Sequence, residues 1–183
     1  MYHLEKNNRF WKWLFISILI VYLLFMTKLI LFKEVPFHKL GETRTRSLNL
    51  IPFHTIDEFI KGEMAQGWIN ELGNILLFVP LGMLLCIFQK QDCLWKSVVY
   101  AMCVSIIYEC LQYIFMLGVA DIDDVLLNTL GGFLGSVLYH SSAVIEPHAR
   151  RRKYLAIFLI VSGIGVFITL LLVDPDWLKL WGK

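Results

Sequence analysis

Two groups of acidic and amide side chains lie inside stretches of this chain that are otherwise apolar enough to cross a membrane. The larger group falls between Tyr108 and Asn128 and consists of Glu109, Gln112, Asp121, Asp123, Asp124 and Asn128. The smaller group consists of Asn70, Glu71 and Asn74. A carboxylate within the hydrocarbon costs at least about 2.5–3.5 kcal/mol on insertion scales, so such residues are rarely without a role. The sequence therefore predicts a functional site built from these two groups.

Several of these side chains offer the oxygen atoms that Mg²⁺ or Ca²⁺ prefers. The candidate metal ligands are Glu109, Asp121 and Asp124, with Asn74 and Asn128 as neutral donors. The same side chains can instead bind a cationic or amide-rich head group, or Glu109 and Asp124 can act as a general acid and base. No Ser/His/Asp or Cys/His set and no phosphate-binding glycine loop points to one reaction. Whether the chain is an enzyme stays open at this point.

Structural roles compete with these functional ones. Asp121 and Asp123 stand at the start of a predicted helix, where they can cap free N–H groups and complement the helix dipole. Glu109 and Asn128 lie too deep in their predicted helices for capping to explain them. Hydrogen bonds between helices are a further alternative for the three amides, Asn74, Gln112 and Asn128.

The composition indicates a membrane protein. The 183 residues are 57% hydrophobic and only 17% charged, and the mean hydropathy of +0.63 lies outside the range of soluble domains. Apolar runs of about 18–22 residues match a hydrocarbon core of roughly 30 Å. We predict an all-α, multi-pass helical bundle that forms one domain over 1–183. Its five transmembrane helices are placed near 11–32, 68–88, 94–117, 122–139 and 154–173.

The basic residues of the short loops predict the orientation of the bundle. They are Lys6, Arg9 and Lys12 before the first span, Lys90 and Lys96 around the second loop, and residues 150–153 before the fifth span. With five spans these segments share one side, which we expect to be the cytoplasm. The amino terminus is then cytoplasmic and the carboxyl terminus is outside. The turn at 118–121, which has no Lys or Arg, becomes an external loop, and the intramembrane polar residues lie in the outer half.

Helical periodicity places the polar side chains on facing stripes. The stripe of the third span is Ser105, Glu109 and Gln112, and that of the fourth is Asp121, Asp124 and Asn128. Gly131 and Gly135 continue the fourth-span stripe as GxxxG, which permits close helix approach. Neighbouring residues of a helix point about 100° apart, so Asp123 points away from the line that contains Asp124. We therefore expect Asp123 to be the weakest member of the site.

The external segment at 33–67 contains more than a linker. Ile56, Phe59 and Ile60 are interleaved with charged residues, a spacing that suits a short amphipathic helix. This helix can anchor the segment at the membrane surface or, with the preceding residues from Asn49, form a roof over the polar site. Both interpretations stay open.

The motifs themselves resemble those of the VanZ-like family. They are the NLIPF run at 49–53, the GNILLFVPLG run at 73–82, Glu109 with Gln112, and the DIDDVLLNTLGG run at 121–132, in the order that the family has them. The resemblance covers about residues 11–140. It adds Asn49 to the candidate binding residues, beside Asn74, Gln112, Asp123 and Asn128. It implies a protein of the bacterial cytoplasmic membrane, and the family's namesake lowers susceptibility to teicoplanin and related lipoglycopeptides.

Two functions from different classes follow from these observations. In the first, an outward-facing polar pocket between the second, third and fourth helices binds a lipid-linked cell-wall precursor or the antibiotic. In the second, the chain is a divalent-metal-dependent enzyme that modifies a lipid-linked or phosphate-bearing substrate at the outer leaflet. A transporter is a weaker third hypothesis, because the sequence shows no inverted repeat. The expected partners are membrane lipids, and nothing indicates nucleic-acid binding.

Overall fold

The predicted all-α architecture is confirmed, with one short addition of β-structure. A computed structural model describes residues 2–32, 45–54, 67–89, 93–145 and 155–163. Its elements in chain order are α1 (Tyr2–Leu31), β1 (Ser47–Asn49), α2 (Gly67–Phe88), α3 (Cys93–Phe115), β2 (Val119–Asp121) and α4 (Ile122–Ile145). A further helix, α5, covers 155–163.

Three of these helices have the length and the apolar composition of membrane spans. The qualifying stretches are Arg9–Leu31, Glu71–Phe88 and Leu94–Phe115. The fourth helix begins with two aspartates in its first turn, and at 24 residues it is roughly 36 Å long. The predicted fifth span is helical over 155–163, and its remaining part lies outside the described residues.

Helices α2 and α4 pack most extensively against each other. Their backbones touch at the glycines of α4, since a Cβ atom at Gly131 would collide with the carbonyl oxygen of Ile75. A Cβ atom at Gly135 would likewise collide with the carbonyl oxygen of Val79. The prediction that the GxxxG stripe allows close helix approach is therefore confirmed.

Side-chain hydrogen bonds attach α1 to α2 and to α3. The Tyr22 hydroxyl donates to the Leu77 carbonyl at 2.6 Å, close to Pro80, which interrupts the hydrogen-bond ladder inside α2. The hydroxyls of Thr27 and Tyr108 lie 3.0 Å apart. Hydroxyl groups at these positions bond between helices where no water is present to do so.

The chain leaves α3 through a tight cap and enters a strand instead of a loop. Met116 adopts a left-handed conformation, with φ of 54°, and the Leu117 N–H donates to the Gln112 carbonyl at 2.9 Å. This is the hydrogen bond of a Schellman cap, which ends the helix. The turn that we expected at 118–121 is partly a strand, because β2 pairs in parallel with β1 and sets Asn49 opposite Asp121.

Candidate functional site

Helix α4 begins at an aspartate that is itself held by a carboxylate from α3. The Oδ1 atom of Asp121 accepts the Asp123 N–H at 2.8 Å, which is the geometry of an N-cap residue bonding the second helical residue. The backbone N–H of Asp121 donates in turn to Oε2 of Glu109 at 2.8 Å. The capping role that we considered for Asp121 is confirmed, and Glu109 takes part in the same start of the helix.

The external segment reaches this helix start from the other side. The amide Nδ2 of Asn49 donates to Oδ2 of Asp121 at 2.9 Å, beside the β1–β2 pairing. Four residues later, the Phe53 N–H donates to Oδ1 of Asp123 at 2.5 Å. Phe53 adopts a left-handed φ of 63°, which is uncommon for a bulky residue. Asp121 and Asp123 thus hold the segment at 49–53 against the N-terminal end of α4.

A third aspartate faces α2, and an amide one turn deeper faces α3. Asn74 donates through Nδ2 to Oδ1 of Asp124 at 2.5 Å. Asn128, which is 2% exposed, donates through Nδ2 to the Ser105 hydroxyl oxygen at 2.8 Å. We call Glu109, Asp121, Asp123 and Asp124 the acidic junction, since these carboxylates join α2, α3, α4 and the segment at 49–53.

Gln112 completes the polar stripe of α3 but turns toward a different neighbour. Its Nε2 atom donates to the Ile30 carbonyl near the end of α1, at 3.1 Å, and the residue is buried. Helix-to-helix hydrogen bonding, the alternative that we held open for the amides, is thus confirmed for all three, Asn74, Gln112 and Asn128. Binding roles for them stay predictions.

The carboxylates of the acidic junction accept hydrogen bonds from amide groups. They accept from the side-chain amides of Asn49 and Asn74 and from the backbone N–H groups of Phe53, Asp121 and Asp123. Within the part of the chain that the structure describes, no three His, Cys, Asp or Glu side chains are grouped so that they could hold a metal ion. The geometry therefore suits the recognition of N–H donors, and the Mg²⁺ or Ca²⁺ site stays a prediction.

Comparison with known proteins identifies the family of this chain. Residues 4–145 match the VanZ/LLP1 family model. The chain belongs to the VanZ family. Protein VanZ of Enterococcus faecium is 33% identical to it over 156 residues, which are 85% of this chain and 89% of that protein. No solved structure matches the chain. The VanZ match includes the segment at 49–53 and all of α2, α3 and α4, so the whole acidic junction lies within the family's shared part.

Within this VanZ-family protein, one junction residue makes a contact that the sequence did not indicate. Asp123 was expected to be the weakest member, yet it is buried, with 4% of its surface exposed, and accepts the Phe53 N–H. Helical spacing relates a residue only to the helices beside it, whereas Phe53 approaches from the external segment. Ser105 stood on the predicted stripe but not among the binding residues, and its spacing of four from Glu109 was the available signal.

Two other predictions, the role of Asn70 and the amphipathic helix of the external segment, concern side chains that the structure does not describe. The side chain of Asn70 and the amphipathic residues Ile56, Phe59 and Ile60 lie outside the described part of the chain.

A cavity of about 350 Å³ lies between α1 and α5, where Tyr22, Phe25, Leu159 and Gly163 contribute to its lining. No junction residue lines that cavity, so it is separate from the polar pocket that the sequence predicts.

Proposed function

We propose that this VanZ-family membrane protein lowers the susceptibility of a bacterial cell to teicoplanin and related lipoglycopeptides. In this proposal the acidic junction binds an amide-bearing head group, carried either by a lipid-linked cell-wall precursor or by the antibiotic. The family match over residues 4–145 supports the resistance phenotype, and the likeness to protein VanZ of Enterococcus faecium supports it as well.

The observation that carries the binding proposal is the identity of the donors at the junction. Five amide N–H groups donate to these carboxylates, two from the side chains of Asn49 and Asn74 and three from the backbone of Phe53, Asp121 and Asp123. Amide N–H groups of a peptide-bearing ligand have the same chemistry and can replace one of these donors without a change in the carboxylates. Hydrogen bonds to a charged acceptor contribute about 1.5–3 kcal/mol each, so two or three of them supply useful selectivity.

Asp124 is the junction residue best suited to exchange its partner. It accepts a hydrogen bond from a side chain, that of Asn74. It is also only partly buried, whereas Glu109 and Asp123 are buried. We therefore assign the contact with the ligand to Asp124 and the neighbouring amides, and the support of this contact to the other carboxylates.

The test is teicoplanin susceptibility of a sensitive Gram-positive host that expresses the intact chain or Asp124→Asn at matched membrane levels. Asparagine keeps the size of the side chain but removes its charge and one acceptor oxygen. The control is Gly73→Ala on the same helix as Asn74, because a Cβ atom at Gly73 meets nothing within 4 Å. We expect protection from the intact chain and from Gly73→Ala, and loss of protection in Asp124→Asn.

Other outcomes contradict defined parts of the proposal. Equal protection by Asp124→Asn would remove this carboxylate from the mechanism but leave the phenotype. No protection from the intact chain would show that the phenotype of the relative does not extend to this protein. A covalently altered envelope lipid in mass spectra of membrane extracts, formed only with added divalent metal, would favour the enzyme instead.

A further inference from the structure

The segment from Arg46 to Phe53 has one polar side and one apolar side. Asn49 and the backbone of Phe53 bond the acidic junction, as described above. The apolar side chains of the segment are largely exposed: Leu48 is 53%, Leu50 63%, Ile51 64% and Phe53 60% exposed. Such a contiguous group of exposed large apolar side chains marks an interaction surface.

The segment holds this surface in a fixed position. The Ile51 N–H donates to Oδ1 of Asn49 at 3.1 Å, an Asx turn that shapes the backbone locally. Parallel pairing with β2 fixes one end of the segment, and the bond from the Phe53 N–H to Asp123 fixes the other. The backbone that carries Leu50, Ile51 and Phe53 is therefore held in place at both ends.

The segment begins beside the last turn of α3, which also exposes apolar side chains. Near its end this helix exposes Ile114 and Phe115, at 55% and 62%, and β2 begins four residues after Phe115. The Arg46 guanidinium lies 5.8 Å from the ring centre of Tyr113, which places the exposed arginine beside the last turn of the same helix. An arginine and a tyrosine at the end of a membrane span are typical of the depth of the lipid head groups.

We propose that the segment at 46–53 binds the phospholipid leaflet at this end of the bundle. Arg46 pairs with lipid phosphate, for which its planar guanidinium is well suited, while Leu50, Ile51 and Phe53 enter the boundary between head groups and acyl chains. The occupant of this surface is the bilayer itself, because one arginine and an apolar edge complement an anionic lipid surface and lie beside the last turn of a membrane span.

This contact has a consequence for the acidic junction. The same segment bonds Asp121 and Asp123, so the leaflet holds the junction at the depth of the head groups. A ligand anchored in the membrane then reaches Asp124 from the lipid phase and not from bulk water. That consequence rests on the proposed function, whereas the lipid contact does not.

The experiment places the photoreactive residue p-benzoylphenylalanine at Leu50 or Phe53 in the full chain, in vesicles of phosphatidylglycerol and phosphatidylethanolamine. The same residue at Ile107, which is 56% exposed on the middle of α3, is the control for lipid contact. After irradiation we expect phospholipid adducts at Leu50 and Phe53 in amounts similar to Ile107, measured by the mass of the intact protein. An Arg46→Gln change should lower the phosphatidylglycerol share of the adducts about fivefold, and Arg46→Lys should largely preserve it.

Three results would overturn the proposal. Crosslinks between two copies would identify a second chain as the occupant, and crosslinks within the chain would show that another segment covers the surface. Absence of lipid adducts at both positions, with a normal yield at Ile107, would place the surface in water. Because susceptibility to teicoplanin is not part of this readout, the lipid contact and the proposed function can fail separately.

Discussion

At the scale of single residues, Glu109 accepts the backbone N–H of the N-cap residue Asp121, although it belongs to another helix. In a capping box the third helical residue returns its side chain to the N–H of the cap. In this protein the third helical residue is Asp124, but Glu109 from α3 accepts the Asp121 N–H instead. Asp124 is thereby left to bond Asn74 of α2. Through these two bonds, both α3 and α2 are joined to the start of α4.

Removal of the Glu109 carboxylate tests this arrangement. Glu109→Ala leaves the Asp121 N–H without its acceptor, so we expect a loss of about 1.5–3 kcal/mol, the range for hydrogen bonds to charged groups. Glu109→Gln retains a carbonyl oxygen and should lose clearly less. Thermal unfolding of the protein in detergent micelles, followed by near-ultraviolet circular dichroism, measures both. Equal losses in the two variants would show that the contact with Asp121 is not what Glu109 contributes.

The sequence predicted which residues meet more successfully than it predicted how they bond. The i, i+4, i+7 spacing brings Ser105, Glu109 and Gln112 to one side of α3, and the structure buries all three. Spacing along one helix contains no information about a backbone group from a distant loop. The Phe53 N–H, separated by 70 residues from Asp123, was therefore not foreseeable from helical periodicity.

At the scale of elements, the contact between α2 and α4 depends on the absence of side chains. Gly135→Ala places a methyl group against the Val79 carbonyl, so the helices have to separate, and we expect destabilisation of about 1–3 kcal/mol from overpacking. Gly73→Ala on α2 enters open space and should leave the unfolding temperature unchanged or slightly higher. The same thermal unfolding measurement compares the two alanine variants. A stable Gly135→Ala protein would mean that α2 and α4 can move apart without cost.

The helices were predictable because the hydrocarbon of a membrane offers no hydrogen-bond partners to the backbone. Backbone groups in hydrocarbon have to bond within the segment, so long apolar runs become helices. The strands β1 and β2 are three residues each, too short for an alternation of side chains to be recognised. Their pairing also joins segments on either side of α2 and α3, and only the folded bundle brings these together.

At the scale of the whole molecule, the acidic junction and a second group of polar side chains lie at opposite ends of α3. The acidic junction lies where α3 ends and α4 begins. At the opposite end, where α2 ends and α3 begins, Gln89 donates to the Ser97 hydroxyl oxygen at 3.0 Å, and Ser97 also lies 3.2 Å from the Cys86 sulfur. The glycine contacts of α4 hold the middle of the bundle. The junction therefore lies toward one side of the membrane, and the orientation of the bundle decides which side.

The positive-inside pattern predicts that the junction lies outside the cell, because Lys90 and Lys96 flank the opposite end while 116–121 contains no basic residue. Cysteine labelling in intact cells tests this with the full chain, using a maleimide that cannot cross membranes. We expect labelling of Val119→Cys, whose native valine is 40% exposed on β2. The parent chain, with Cys93 at the start of α3, should react only after the cells are permeabilised. Cysteines facing hydrocarbon react poorly because the thiolate is the nucleophile and burial in apolar surroundings disfavours it. Strong labelling of the parent chain in intact cells, with no gain from Val119→Cys, would invert the orientation. The acidic junction would then face the cytoplasm, where it could meet a lipid-linked precursor but not an antibiotic outside the cell.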